Sequence, residues 1–518
     1  MEDYLVMKDI TKVYDNGIMA NDKVNFSARK GEIHAICGEN GAGKSTLMKM
    51  LFGIEQPNEG EIIVKGEKVK LSSPIVAIQH GIGMVHQHFM LVPSLTVAEN
   101  VILGIEPTIG MRFDRAKAIK MTEEVSKKYN FDINPRARVS DLAVGTKQKV
   151  EIVKALVRGC DILILDEPTA VLTPQETKEL FVQLKSLRES GHTIIFISHK
   201  LNEVKQLCDR VTVIRHGHTI GVYDVDKVSE ADISRYMVGV DVDLEIHKEP
   251  AKPSSDVLVV DKLTAFNEAG RKTLSDISFT VRRGEIVGIA GVEGNGQREL
   301  VNTITGFMPV TQGNVSLLGH DISKLSINQL RQYGMVHIPE DRNAMGVASN
   351  MSIGENILAD KMDDPRYNNR LLTNPKNMKE DVDKWIKEFT VLCSSGEQRI
   401  GNLSGGNVQK VVVAREFTNF SELLICDQPT RGIDVGATEF IRNRMVQMRD
   451  AGKGILLVSA DLGEVMSLSD TLLVMYGGQI VACFRDVKNL TEEELGYYML
   501  GIKKMTPEQI GGAFYAQA

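Results

Sequence analysis

Residues 32–46 read EIHAICGENGAGKST. Six residues with β-forming character run straight into G-x-x-x-x-G-K-S, and the residues that follow, KSTLMKMLFG, are helix formers. That strand, loop and helix order is the setting in which a glycine-rich loop grips phosphate. Glycines let the backbone N–H groups turn inward around an anion, and the helix presents its positive end to the same charge. Gly38, Glu39, Asn40, Gly41, Ala42, Gly43, Lys44, Ser45 and Thr46 are therefore the candidate cradle. Lys44 is placed to neutralise the outer phosphates of a nucleotide, and the Ser45 hydroxyl to ligate Mg²⁺.

A second apolar run, ILILDEP at 162–168, carries Asp166 and Glu167 out at its end. Open α/β sheets bind ligands at the carboxyl ends of their strands. Asp166 is expected to hold the metal through water, and Glu167 to take a proton from an attacking water. Further β-rich runs, TIIFIS and RVTVIR, alternate with helical segments such as TKELFVQLKSLRES. Apolar runs without strict alternation imply strands covered on both faces, hence an α/β domain with a mostly parallel sheet.

The design appears twice. GEIVGIAGVEGNGQRE from Gly284 repeats the cradle region, DQPTRG at 427–432 repeats DEPTAV at 166–171, and TEEELGYYMLG from Thr491 repeats SEADISRYMVG from Ser229. The copies lie about 250–260 residues apart, a period that means duplicated domains. The second half carries extra residues, assigned to the loop-like KMDDPRYNNRLLTNPKN region. Between the halves, DVDLEIHKEPAKPSSD is polar with two prolines and reads as an exposed linker. The expected organisation is a first domain at 1–243, a linker at 244–256 and a second domain at 257–518.

Bulk properties exclude several classes. The 518 residues exceed one core. The net charge of −7 argues against nucleic acid as a partner. The six cysteines form no C-x-x-C pair, so neither a zinc site nor a disulfide framework is indicated. No apolar run reaches the roughly 18 residues of a membrane span, and the N-terminus does not read as a secretory signal. Work at a membrane would need spans from other chains.

With both motifs in place, the chain resembles the nucleotide-binding subunit of an ATP-binding-cassette (ABC) transporter, with two cassettes fused. The resemblance implies two tandem P-loop NTPase domains. Each would have a RecA-like α/β core, an antiparallel β region and a helical subdomain. It implies ATP and Mg²⁺ as ligands. Gln87, in GMVHQHF, matches the family's metal-sensing glutamine, and His199, in FISHK, the histidine at the γ-phosphate. Tyr14 either stacks on adenine or is plain packing. Phe89, Met90 and Leu91 either meet a membrane partner or fill a helical-subdomain core.

The family signature L-S-G-G-Q appears as LSGGN at 403–407 in the second half and as LAVGT at 142–146 in the first. In the family, each nucleotide lies between the cradle of one cassette and the signature of the other. One site then receives Lys44, Ser45, Gln87, Asp166, Glu167 and His199, with Ser404, Gly405, Gly406 and Asp434 from the second half. The other receives Gln297, Arg298 and Glu299 in its cradle, Gln428 for Glu167, Ala460 for His199 and Ile338 for Gln87. It faces the altered LAVGT, with Thr173 at the position matching Asp434. The losses fall on one composite site, so one hydrolytic site is expected and one of negligible turnover, where Gly291, Gly294, Gly296 and Asp427 remain for weak nucleotide binding.

A weakened second cradle, PEDR at 339–342 and QPTRGIDVGA at 428–437 resemble the simple-sugar importers of the ribose, galactose or xylose type. Within that group, GMVHQHFMLVPSLTVAENVILG and DILILDEPTAVLTPQE look most like the nucleoside-importing branch. The resemblance implies integral-membrane permease partners, an indirect solute-binding receptor, no span of its own, and a peripheral place on the cytoplasmic face of the membrane. The different class kept beside it is a soluble ABC ATPase acting on ribosomes or DNA.

Overall fold

The computed structural model describes the chain except residues 1–2, 15–16, 18, 87–88, 171, 199, 240–245, 247, 268–269, 369–371, 420 and 516–518. The chain forms two compact units, Met1–Val242 and Asp243–Ala518.

In the first unit, β1 (Asp3–Val13), β2 (Met19–Arg29), β4 (Glu59–Val64) and β5 (Glu67–Val69) make an antiparallel sheet in the order β2-β1-β4-β5. A six-stranded sheet combines β3 (Ile33–Cys37), β6 (Ile82–Val85), β7 (Ile162–Asp166), β8 (Thr193–Ile197), β9 (Arg210–Arg215) and β10 (His218–Asp224). Its order is β10-β9-β3-β8-β7-β6, parallel except for the edge pair β9 and β10. Every residue of β3, β7 and β8 is buried. This is the reason their sequences are continuous apolar runs: a parallel sheet with both faces covered has no solvent side to alternate against.

The parallel arrangement brings the carboxyl ends of β3, β7 and β8 to one edge. Behind β3 lies α1 (Lys44–Leu51), whose Leu47, Met48, Met50 and Leu51 join the core between the two sheets with Ile36, Ile164 and Ile195. Helix α2 (Arg115–Lys128) and α3 (Val144–Val157) pack together with the short helix Val97–Val101 as a helical subdomain. Helix α4 (Pro174–Glu189) starts at a capping box made by Thr173 and Glu176.

The second unit repeats the plan. An antiparallel sheet of β11 (Asp256–Phe266), β12 (Lys272–Arg282), β14 (Gln312–Leu317) and β15 (His320–Asp321) has the order β12-β11-β14-β15. Its six-stranded sheet contains β13 (Glu285–Ala290), β16 (Met335–Ile338), β17 (Leu423–Asp427), β18 (Gly454–Val458), β19 (Thr471–Tyr476) and β20 (Gln479–Phe484). The order, β20-β19-β13-β18-β17-β16, matches that of the first unit. One core lies between this sheet, the antiparallel sheet and α5 (Gln297–Ile304). A second lies on the opposite face, under α7 (Gly405–Phe417) and α8 (Val435–Asp450). Helix α6 (Pro375–Glu388) belongs to the helical subdomain, where its Asp381 binds Arg366 at 2.6 and 2.9 Å and the buried Tyr367 hydroxyl at 2.7 Å.

The segment read as an exposed linker is partly fastened down. Lys248 Nζ donates to the carbonyls of Leu468 (2.6 Å) and Ser469 (2.8 Å) and to Asp470 (3.0 Å). Arg449, itself 1% exposed, donates to the Glu249 carbonyl at 2.9 Å. Its polar composition hid these contacts, because Lys248 reaches partners about 220 residues away.

Candidate nucleotide site

The first cradle is built by close approach. A Cβ on Gly38 would lie 2.2 Å from the Ile214 carbonyl oxygen of neighbouring β9. Gly43 has φ of +98°, and its Cβ would lie 2.3 Å from the Ala20 carbonyl oxygen of β2. Only glycine fits both constraints at Gly43, so the loop is pinned between the two sheets.

Lys44 is the first residue of α1 and is 6% exposed. Its Nζ donates to the carbonyls of Gly38 (2.7 Å) and Glu39 (2.9 Å). Burial pushes its ammonium below the usual lysine range, against the attraction of Glu167, Cys37, Asp166 and Glu39. A bound polyphosphate would relieve that desolvation, since opposite charge favours the charged form.

Asp166, the last residue of β7, is 9% exposed and hydrogen-bonds to the Ser45 side chain. Burial, then the Glu167 charge beside it, raise its carboxyl above the ordinary range, while Lys44, Lys49 and the Ser45 hydroxyl pull it down. This hydroxyl and carboxylate pair fits a hydrated Mg²⁺. Among the described residues no three His, Cys, Asp or Glu side chains group to hold a metal alone. A divalent cation here would take its remaining ligands from phosphate and water.

Glu167 follows with φ of +48°, and its N–H donates to the Ile197 carbonyl of β8 at 3.0 Å. A left-handed backbone at a residue other than glycine costs about 1–2 kcal/mol. The hydrogen bond to the neighbouring strand holds the backbone there.

Tyr14 sits beside the cradle, where its hydroxyl shares a 3.3 Å hydrogen bond with Thr46 and Lys12 Nζ lies 5.3 Å from its ring centre. Gln87 and His199 lie outside the described residues. Their flanks are anchored: Met90 N–H donates to Glu151 at 2.6 Å, and Lys200 N–H to Ser198 at 3.0 Å.

One participant was missed by the sequence reading. Glu203, buried, accepts from Thr169 (2.6 Å) in the loop after β7 and from Ser198 (3.2 Å) after β8. It ties together the two loops that carry Glu167 and His199. Glu464 does the same in the second unit, accepting from Thr430 (2.8 Å), Ser459 (2.8 Å) and Arg442 (3.0 Å). The signal was present in the repeat, because both halves place a Glu five residues after that serine.

The second unit keeps the loop shape and changes its chemistry. Gly296 has φ of +104° and caps α5, whose first residue is Gln297. Gln297 Nε2 donates to the Val292 carbonyl at 3.2 Å, as Lys44 does to Glu39, without the charge. Gln428 has φ of +50°, and its N–H donates to the Val458 carbonyl at 2.8 Å. Its side-chain carbonyl oxygen accepts from the Ala460 N–H at 3.0 Å, so the amide is engaged by the loop that lacks a histidine. Asp427 is 6% exposed; burial and the Glu340 charge push its carboxyl up to about 7, against Arg298 and Arg431.

The signature helices differ as their sequences suggest. Ser404 caps α7 by accepting from the Asn407 N–H, and Asn407 Nδ2 donates to it at 2.9 Å. Ala143 at the start of α3 offers no side-chain cap. Asp434 caps α8 through the Ala437 N–H at 2.7 Å, and a Cβ on Gly406 would lie 2.2 Å from its Oδ2. Asp434 thus lies against the second residue of the LSGGN helix.

The sequence model of the ABC transporter family matches residues 21–170 and 274–431. The chain is 46% identical to the guanosine import ATP-binding protein NupO of Bacillus subtilis, over 97% of this chain and 98% of that protein. It is 42% identical to the nucleoside import ATP-binding protein NupA of Lactococcus lactis, over 96% and 98%. Identity to the galactose/methyl galactoside import ATP-binding protein MglA of Salmonella typhimurium is 37%, over 95% and 96%. No helix among the described residues is long and apolar enough to cross a membrane.

Proposed function

Because the chain belongs to the ABC transporter family, we propose that it is the ATP-hydrolysing subunit of a nucleoside importer. ATP binding and hydrolysis drive uptake through separate integral-membrane permease subunits, with a solute-binding receptor acting through those permeases. The chain then works as a peripheral subunit on the cytoplasmic face. The observation that carries the reading is the convergence of Lys44, the Ser45–Asp166 pair and Glu167 at one sheet edge, in a chain similar over nearly its whole length to nucleoside import ATP-binding proteins.

In this reading residues 38–46 bind the phosphates, with Lys44 leaving the Gly38 and Glu39 carbonyls for the β- and γ-phosphate oxygens. Ser45, Asp166 and Gln87 would hold Mg²⁺, which would supply charge neutralisation at the transferred phosphoryl group. Glu167 accepts a proton from the water that attacks the γ-phosphorus. The bond to the ADP oxygen breaks, leaving ADP and inorganic phosphate. His199 contacts the γ-phosphate and Tyr14 packs on adenine. Ser404, Gly405, Gly406 and Asp434, from the same chain or a second copy, complete this nucleotide's site. That assignment rests on the family resemblance and on the losses falling together on Gln297, Arg298, Gln428, Ala460 and LAVGT.

The test is reconstitution of the chain with its permeases and receptor in vesicles. Guanosine or another nucleoside should stimulate ATPase and accumulate inside, whereas ribose and galactose should not. Stimulation by a pentose or hexose alone would favour the sugar-import reading, for which the similarity to MglA speaks. No stimulation by either class, with ATPase responding to ribosomes or DNA, would overturn the importer reading.

A further inference from the structure

We propose that the second cradle binds a nucleoside polyphosphate without a divalent cation, with the Arg298 guanidinium standing where the first cradle would hold its metal. This concerns the second unit alone and does not depend on which solute is imported.

The backbone of a phosphate site is intact there. Gly294 and Gly296 have φ of +91° and +104°, against +83° and +98° for Gly41 and Gly43. The helix behind the loop, α5, starts at the residue equivalent to Lys44 and runs for 8 residues. Gln297 lies over the loop: a Cβ on Gly291 would come within 2.2 Å of its Nε2. It can donate to a phosphate oxygen, but it adds no charge.

The metal-binding pair is gone. In the first unit the Ser45 hydroxyl meets the Asp166 carboxylate. In the second, the equivalent position is Arg298, an exposed residue in the first turn of α5, so a guanidinium replaces the metal-binding hydroxyl at that position. The counterpart of Asp166 here, Asp427, is the last residue of β17 and is 6% exposed. Arg298 attracts it, and so does Arg431, which is ion-paired with Glu340. A buried carboxylate at a phosphate loop, with no metal-binding hydroxyl beside it, either takes up a proton or is held as an anion by a nearby cation. The guanidinium supplies one, stays charged, and carries five N–H donors suited to bidentate binding of phosphate oxygens. The residues of this cradle therefore do not fit Mg²⁺ but do fit the anion.

The charge balance sets the expected behaviour. One arginine replaces a lysine and a dication, and Glu299 adds a carboxylate in the same first turn of α5, so binding should be weaker than at the first cradle and insensitive to chelation. The experiment uses the full chain carrying Lys44→Ala, which disables the first cradle, titrated with the fluorescent N-methylanthraniloyl derivatives of ATP and ADP. With excess EDTA the Kd should stay within about threefold of its value in Mg²⁺. Adding Arg298→Ser should weaken binding in EDTA by at least about tenfold, and Arg298→Lys by less. The result that overturns the proposal is binding that appears only with Mg²⁺, or no binding in either buffer. Binding in EDTA that is unchanged in Arg298→Ser would overturn it equally. If Arg298→Ser does not fold, as judged by its melting curve, the EDTA comparison in Lys44→Ala still decides.

Discussion

Gly43 and Gly296 hold φ of +98° and +104°, each followed directly by the helix that closes its phosphate loop. Glu167 and Gln428 share the same left-handed backbone, at +48° and +50°, and the same hydrogen bond to the neighbouring strand. The glutamates that brace the adjacent loops, Glu203 and Glu464, are both present. Only the chemistry at the tips of these frames differs: ammonium against amide, hydroxyl against guanidinium, carboxylate against carboxamide. The scaffold is set by packing and backbone geometry, which tolerate such exchanges because the tip residues are not what the cores are made of. Reactivity can therefore be lost from one copy of the fold without loss of the fold.

The comparison breaks most readily at the proposed general base. Glu167→Gln should lower steady-state ATPase of the assembled complex by about 10²–10⁴, the usual weight of a general base. Gln428→Glu should leave the rate near the parent value, because one carboxylate does not restore the lysine, hydroxyl and histidine also missing there. A doubled rate in Gln428→Glu, or half the rate surviving in Glu167→Gln, would dissolve the distinction between the units.

A smaller effect is expected at the signature helices. Ser404→Ala removes the hydroxyl that caps α7, a change worth about 1 kcal/mol in helix ends, and should reduce kcat/KM about fivefold. Ala143→Ser gives the first unit's helix the cap it lacks and should leave ATPase unchanged. Equal losses from both variants would show that the two signatures serve equivalent sites.

The smallest effect sharpens the contrast in electrostatics. The Asp427 carboxyl is pushed up to about 7 by burial, so the folded chain holds that proton more tightly than the unfolded chain. Its contribution to stability therefore falls as pH rises from about 4 towards 7 and is fully unfavourable above. Asp427→Asn should raise the melting temperature of the second unit at pH 8 on the order of 2–5 °C, with the gain shrinking towards pH 4. Lower stability at pH 8 would mean that Arg298 and Arg431 compensate the buried charge fully.

Much of this architecture is legible in the chain itself. EIHAIC, ILILD and TIIFI are apolar throughout because both sheet faces are covered, and they form the strands they suggest. The cradle is contiguous, so its glycines, Lys44 and Ser45 can be read together. Tyr14 was open between two roles, and its hydroxyl on Thr46 places it at the cradle edge. Glu203 and Lys248 escaped because each looks like an ordinary surface charge in its local sequence. Their partners, Thr169 in one case and Leu468 to Asp470 in the other, lie 34 and more than 200 residues away.

The amino-acid order by itself determined the duplication, the strand and helix rhythm, the phosphate loops and the inequality of their chemistry. Each of those depends on residues adjacent in the chain or on a repeat that can be aligned by eye. Only the tertiary structure decided that Glu203 and Glu464 brace their loops, that Asp434 rests on Gly406, and that the Gln428 amide takes the Ala460 N–H. Those contacts form where chain segments from distant strands end at one sheet edge, and burial there fixes their energies. No local pattern records which ends will meet.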